Sequence, residues 1–428
     1  MKILWFTLTP CGSVRRFKSD TIVCGWLVSL EDELKKKPDV DLHVAYFSFS
    51  EREEFCYEGV HYHPMLVRRS PYAIIRLVER LKSEKSMEKC KLDLMCGVVS
   101  RIHPDMIHVH GTEECFALIQ NLVRDIPIVI SIQGLIAPIG KKYFSGIPFE
   151  VARSFEPISY KLKMSSVVDD YKSICYRGKR EERVLKDANY IMGRTFWDEY
   201  ISLVLNPNRQ YFVVNEILRG PFYEKRWNAI KDNDNGRFVI ISTVSGGIYK
   251  GIETLLYTAR ILKEYADFNF EWRVAGYDRN NRWLNISLKM VDSSLDDLHI
   301  KLLGRLDANL LSDELVKADA FVHVSHIENS PNSVCEAMLV GMPVIASYAG
   351  GTASLIRNGE DGILVQDGDP YVLAGAIEYL YHNPQDSIEM GRKARATAIV
   401  RHNQVCVARE LTKAYDMIHR DFCKKKNK

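Results

Sequence analysis

The feature that most constrains this chain is an alternation of short apolar runs with amphipathic stretches, which stops near residue 205 and restarts near residue 237. Runs rich in Ile, Val, Phe and Tyr at 2–8, 42–48, 105–110, 127–133 and 189–193 read as buried strands. Helical patterns lie near 21–37, 70–91 and 112–125. Alternation of this kind implies a parallel, doubly wound sheet with helices on both faces. The stretch 205–237 is polar and irregular, with Asn206-Pro207-Asn208, Gly220-Pro221 and Asp232-Asn233-Asp234-Asn235-Gly236. After it, strands are expected near 237–243, 270–275, 299–303, 319–324 and 342–347, with helices near 251–265, 283–292, 308–317 and 332–340. Residues 384–422 read as one helical segment with few breakers. The expected division is 1–215, 216–400 and a C-terminal helix, 401–428, that returns to the first domain and ends in a disordered basic tail, Lys424-Lys425-Lys426-Asn427-Lys428.

Composition excludes several alternatives. With 428 residues, 46% of them hydrophobic and 26% charged, the chain is neither a disordered polymer nor a fibre. A net charge of +3 is too small to argue for a nucleic-acid partner. Ten scattered cysteines without a C-x-x-C spacing fit reduced thiols in a cytoplasmic protein. No apolar run approaches the roughly 18 residues that span a bilayer. Residues 1–8 are expected to form a first strand, not a signal peptide.

In open α/β sheets, ligands bind beyond the carboxyl ends of the strands, so chemistry is sought just after each one. The richest such place is Ser325-His326-Ile327-Glu328-Asn329-Ser330-Pro331-Asn332-Ser333, followed by a helix carrying Glu336 and closed by Gly341. Asn332 or Ser333 is the expected N-cap, and Glu336 is expected in the first turn. A helix N-terminus suits a phosphate, and two carboxylates eight positions apart can each accept from the hydroxyls of a sugar. The plain alternative is a capped helix with a capping-box Glu and no ligand.

A second place is Ser245-Gly246-Gly247-Ile248-Tyr249-Lys250-Gly251, where Lys250 can reach a diphosphate and the glycines allow close backbone approach. It is neither a P-loop nor a G-x-G-x-x-G, and no such dinucleotide fingerprint follows any strand. Gly304-Arg305 follow the strand at 299–303 and join the phosphate-side candidates. A third place is His108-Val109-His110-Gly111, whose two histidines share a strand face. His110 is nearer the strand end, and a zinc site there lacks a third ligand at suitable spacing. A fourth is Thr9-Pro10-Cys11-Gly12-Ser13, followed by Arg15, Arg16 and Lys18, with Gln133-Gly134 after the strand at 127–133 as a further candidate.

Glu328 and Glu336, with Ser325, Gly341-x-Pro343-Val344, Gly350-Gly351, Leu355-Ile356, Asn358-Gly359 and Gly362-x-Leu364-Val365, resemble the E-x7-E region of retaining glycosyltransferases of family 4. The resemblance covers most of 237–400. It implies the GT-B architecture, two facing Rossmann-like domains, with a nucleotide-sugar donor on the second and a glycan or lipid-linked acceptor on the first. It implies that Glu328 contacts the donor hexose, Glu336 the ribose, and that His110 lies close to the reacting sugar. The loop at Gly12 would then approach the donor phosphates. The family usually carries an Arg a few residues before Lys250. Here Ser245 stands five residues before it and 238–249 contains no Arg, so Arg194 in Met192-Gly193-Arg194-Thr195 is the expected substitute.

The function expected is transfer of a hexose from a UDP- or GDP-sugar in cell-surface polysaccharide synthesis, with no essential metal. Two alternatives stand beside it: a sugar-nucleotide epimerase and a non-catalytic nucleotide-sugar-binding subunit. Three D-x-D spacings, Asp39/Asp41, Asp232/Asp234 and Asp367/Asp369, are expected to serve turns. The stretch 68–91, with eight basic and three acidic residues and with Arg76 and Arg80 at helical spacing, reads as a basic amphipathic helix able to rest on the inner face of a membrane. Residues 138–187 are expected to be an acceptor-side insertion.

Overall fold

The computed structural model describes residues 1–16, 25–50, 53–68, 84–228 and 236–426. The chain forms two units. The first comprises Met1–Ala137, Ser159–Ile217 and Asn403–Lys428, and the second Pro138–Ile158 and Leu218–His402.

Unit 1 holds β1 (Lys2–Phe6), β2 (Asp41–Ser48), β3 (Phe55–Tyr57), β4 (Val60–Leu66), β5 (Met106–His110), β6 (Ile128–Ser131), β7 (Tyr190–Gly193) and β8 (Gln210–Val213). They are ordered β3-β4-β2-β1-β5-β6-β7-β8. All neighbours are parallel except the short β3–β4 hairpin. From β1 the chain winds outward to β2 and β4, then returns to lay β5 on the other side of β1, so the order reverses between β1 and β5. That reversal creates a crevice at the strands' carboxyl ends. Both sheet faces are covered, one by a cluster around Trp5, Leu30, Tyr62 and Tyr415, the other by one around Phe6, Val99, Phe116 and Leu185.

Unit 2 holds β9 (Phe238–Thr243), β10 (Phe270–Ala275), β11 (Ile300–Gly304), β12 (Ala320–His323), β13 (Val344–Tyr348) and β14 (Ile363–Gln366). Its order is β11-β10-β9-β12-β13-β14, all parallel, with the reversal between β9 and β12. The expected class, two doubly wound parallel-sheet domains, is what the chain forms.

Several expectations are corrected. The strands β3, β4, β8 and β14 and the helix Pro370–His382 were not anticipated. The helix expected over 112–125 is only a 3-10 helix, Cys115–Asn121. Its start is diverted because the Glu113 carboxylate accepts from the Gly134 N–H at 3.2 Å instead of serving the first turn. The segment 384–422 is two helices, Pro384–Arg401 and Gln404–Lys426, broken at His402 and Asn403. Asn403 Oδ1 accepts from the Cys406 N–H at 3.0 Å and so starts the second helix. The first helix belongs to unit 2 and the second to unit 1.

The second helix buries Val407, Leu411, Ala414, Tyr415 and Ile418, a stripe at helical spacing. Tyr415 Oη accepts from Trp5 Nε1 at 3.0 Å and lies 2.6 Å from His108 Nδ1. The tail is helical through Lys426. The segment 138–187 is not one insertion: 138–158 packs into unit 2, with Arg282 3.0 Å from Glu156, while the helix Val167–Asp187 belongs to unit 1. The basic stretch falls largely on 69–83, and Lys18, Asp232 and Asp234 are likewise outside the described residues. No described helix is long and apolar enough to cross a membrane.

Candidate active site

The two strands at the reversal of unit 2 feed the two loops that carry Lys250 and Glu328. After β9 the chain passes exposed Ser245 and Gly246, makes a short 3-10 turn over Ile248–Lys250, and enters the helix Ile252–Tyr265 through Gly251 at φ +75°. A Cβ at Gly251 would lie 1.8 Å from the Val324 carbonyl oxygen, so only glycine lets this loop press on the exit of β12. The His326 N–H donates to the Tyr249 carbonyl at 3.0 Å and locks the two loops together.

The result is a charged pair. Lys250 Nζ donates to Glu328 Oε1, which also accepts from Ser325 Oγ at 3.2 Å and lies 3.9 Å from His323 Nε2. Burial alone would push Glu328 up; the Lys250 ammonium, then His323, overcome it and hold the carboxyl at about 2. Burial would likewise lower Lys250, but Glu328 raises it above the ordinary lysine value. Both side chains keep about a fifth of their surface exposed, 22% and 20%. The Glu328 backbone is clasped from below. Gly351 donates to its carbonyl at 2.9 Å, and a Cβ at Gly350, φ +57°, would lie 2.0 Å from that oxygen.

The helix that follows, Asn332–Val340, has Pro331 at its N-cap and no side-chain cap, so neither Asn332 nor Ser333 caps it. Proline's fixed φ suits the entry, and the terminus stays open to an acceptor. Asn332 Oδ1 is buried without a hydrogen-bond partner. Glu336 sits in the second turn, not the first, and both its oxygens accept from Arg219, at 2.8 Å each. The capping-box alternative is thereby replaced by a buried ion pair. Burial pushes the Glu336 carboxyl up, and Arg219 offsets part of that rise.

Three further groups were missed by sequence reasoning. Arg219 is hidden in the irregular linker beside Gly220-Pro221. His326 Nε2 meets Glu253 Oε1 at 2.5 Å, and its Nδ1 lies 3.4 Å from Asp367. The histidine is raised above its ordinary value, the Glu253 and Asp367 carboxylates outweighing burial. Asp367 therefore touches the Glu328 loop and does not merely serve a turn, while Asp369 caps Pro370–His382. At the edge of this sheet, Gly304 takes φ +66° and Arg305 is exposed.

Unit 1 treats its own crevice differently. Gly12 is buried, and its N–H donates to the buried Glu31 carboxylate at 3.1 Å. Arg15 is spent on Asp32 through two contacts of 2.8 and 2.7 Å, and Arg16 lies over the Phe55 ring at 4.5 Å. Gln133 is half-buried.

His110 is wholly buried, with its ring 4.5 Å from Trp5, and neither ring nitrogen has a hydrogen-bond partner. Burial, then His108 and Arg194, hold it far below the ordinary histidine value, so it is neutral. Arg194 is buried, stacks on Trp26 at 4.2 Å and lies 3.7 Å from the buried Glu216. His110 and Arg194 line a small pocket with Trp26, His108 and Ser131.

Residues 236–383 match the family described as Glycosyl transferases group 1. The matched stretch lies within unit 2 and contains Lys250, Glu328 and Glu336. Among curated proteins, the chain is 29% identical to the amylovoran biosynthesis glycosyltransferase AmsK of Erwinia amylovora over 175 residues, 40% of this chain and 42% of that protein. It is 35% identical to the putative glycosyltransferase EpsD of Bacillus subtilis over 103 residues, 24% and 27% of the two chains. A putative colanic acid biosynthesis glycosyltransferase, WcaL of Salmonella typhimurium, is 27% identical over 169 residues, 38% and 41%. The chain thus spans less than half the length of these relatives.

Solved structures match over nearly everything. Sucrose-phosphate synthase from Thermosynechococcus elongatus superposes with a TM-score of 0.70 at 13% identity, covering 98% of this chain and 99% of that one. Anabaena HepE in complex with UDP-glucose gives 0.65 at 16% identity, covering 97% and 100%. These likenesses show the fold, the two-unit parallel-sheet class of GT-B glycosyltransferases.

Proposed function

We propose that this chain is a glycosyltransferase that moves a hexose from a UDP- or GDP-sugar to a glycan or lipid-linked glycan, with retention, in polysaccharide synthesis. The observation that carries the reading is the Lys250–Glu328 pair at the reversal of unit 2, beside a helix N-terminus that no side chain caps. Unit 2 binds the donor and unit 1 the acceptor. The match at 236–383 and relatives named for amylovoran and colanic acid synthesis support this.

The chemical need is to stabilise the diphosphate as it leaves. Lys250 has three N–H donors, so it can keep Glu328 and still bind a phosphate oxygen. The backbone of Ser245 and Gly246, the exposed Arg305 beside Gly304, and the N-terminus at Asn332 and Ser333 complete the diphosphate side. Glu328, ionised at neutral pH, is an acceptor only. It orients the hexose through its hydroxyls and does not act as a general acid. Glu336, held rigid by Arg219, accepts from the ribose. His110, neutral, positions the sugar by hydrogen bonding and carries no charge to the reaction. Retention follows from attack by the acceptor on the face the diphosphate leaves. Arg194, already beside Glu216, contributes less cationic charge than a free guanidinium would. Gln133 and Arg16 are acceptor-side residues, and Arg76 and Arg80 bring the chain to an anionic membrane.

The deciding experiment measures the melting temperature with UDP, GDP, ADP and NAD for wild type and Lys250→Ala, followed by sugar transfer with the stabilising nucleotide's sugars. A shift with one nucleoside diphosphate that weakens in Lys250→Ala, together with transfer, is expected. A shift with NAD alone, or none with any diphosphate, overturns the reading. Donor isomerised without an acceptor would identify an epimerase instead. Charge reversal at Arg76 and Arg80 should reduce liposome binding while leaving activity on a soluble acceptor intact.

A further inference from the structure

At the amino end of the unit 1 sheet, away from the carboxyl-end crevice, three histidines meet two carboxylates. His43 on β2 and His61 on β4 are register partners on adjacent parallel strands, and their rings stack 4.7 Å apart. His63, two positions along β4, shares that face and stacks on His43 at 5.2 Å. Asp41, the first residue of β2, places Oδ1 3.3 Å from His43 Nε2 and 3.8 Å from His61 Nε2. The ligand atoms of Asp41, His43 and His61 all lie within 4.8 Å of one another. On the far side, His43 Nδ1 lies 2.9 Å from His63 Nε2, and His63 Nδ1 lies 3.2 Å from Glu54 Oε1. Arg101 Nη2 pins that Glu54 oxygen at 2.5 Å.

The row Glu54–His63–His43–Asp41 runs through three contacts. His43 Nε2, beside Asp41, and His63 Nδ1, beside Glu54, are both buried without a hydrogen-bond partner. The Glu54 end has a cation, Arg101. The Asp41 end meets only histidines among the described residues, His43 and the exposed His61.

We propose that Asp41, His43 and His61 bind a divalent transition metal of the zinc class, with His63 and Glu54 as the positioning relay that fixes the His43 tautomer. Zinc bonds of roughly 2.0–2.2 Å put tetrahedral ligands about 3.4 Å apart, and Asp41 Oδ1 stands 3.3 and 3.8 Å from the two imidazole nitrogens. Two imidazoles and one carboxylate suit zinc, not magnesium or calcium, which prefer all-oxygen shells. A metal-bound histidine that passes its other N–H to a carboxylate, here through a second histidine, is the usual supporting arrangement. The metal ties β2 to β4 and takes no part in sugar transfer.

The test dialyses the untagged, metal-stripped full chain against Zn²⁺ and measures bound metal and affinity by competition with a chromophoric chelator. Wild type should bind one equivalent more than His61→Ala or Asp41→Asn, both changes at exposed positions that leave the core intact. Co²⁺ should give a tetrahedral visible spectrum in wild type and lose it in His61→Ala. Glu54→Gln should weaken binding about 10–100-fold while keeping the stoichiometry. Equal zinc binding by wild type and His61→Ala, or preference for Mg²⁺, overturns the site. Unchanged affinity in Glu54→Gln overturns the relay.

Discussion

The two sheets reverse their strand order in the same way and furnish the two reversals in opposite fashions. In unit 2 the loops after β9 and β12 bring together charged groups that remain partly exposed, Lys250 and Glu328, and hold them by backbone clasps at Gly251 and Gly350. In unit 1 the loops after β1 and β5 turn their polar groups inward. Gly12 gives its N–H to Glu31, and His110 packs against Trp5 without a hydrogen-bond partner and lines a small pocket. One topology thus serves a presented charge in one unit and a buried, neutral polar lining in the other. A parallel sheet settles where a site can be. The residues that pack against each loop decide whether charge survives there.

The comparison can be broken most forcefully at Arg219. Removing it leaves Glu336 buried without its cation, which typically costs about 3–5 kcal/mol. Arg219→Ala should lower the urea midpoint accordingly, and Arg219→Ala with Glu336→Gln should recover part of the loss. A small effect would mean that the unit 2 charges are not interdependent.

Lys250→Ala should reduce kcat/KM for transfer by about 10²–10³-fold, as removing one donor to a developing anion does. Substituting His110 by Ala, by contrast, should not shift any pH–rate midpoint, because His110 is neutral throughout. A pH midpoint near 6–7 that disappears with His110 would erase the proposed contrast between the units.

The sign of the pH effect at Glu328 follows from its depressed value. Its stabilisation is present above the unfolded value of 4.5 and is lost as pH falls through about 2. The full difference corresponds to roughly 3 kcal/mol. Acid unfolding of wild type and Glu328→Gln should therefore converge between pH 4.5 and 2, and parallel curves would refute the pairing. Smaller still, Tyr415→Phe removes the hydroxyl shared by Trp5 and His108 and should cost about 1–3 kcal/mol. Arg15→Ala breaks an exposed pair with Asp32, worth about 0.2–1 kcal/mol.

How legible these features are in the sequence depends on range. Strands β1, β2, β5, β9, β10 and β12 are visible as short apolar runs, and the residues just beyond them are the right places to look. Lys250 and Glu328 were found that way. Strand β3 and strand β8 were not seen, because three or four residues at a sheet edge carry too little periodicity. Arg219 lies 117 positions from Glu336, and Glu253 lies 73 from His326, so no local pattern could pair them. Asp41 belongs to a D-x-D that reads as turn chemistry, until the register of β2 and β4 sets His43 beside His61.

By itself, the sequence determined the class of fold, the doubling of the sheet and the loops in which charge could be presented, because those follow from hydrophobic period and strand ends. Only the tertiary structure decided that 138–158 joins unit 2, that the last helix joins unit 1, that Gly12 serves Glu31, and that three histidines face two carboxylates. Each of those outcomes depends on which distant segment fills a given space, and packing between distant segments leaves no periodic trace in the chain.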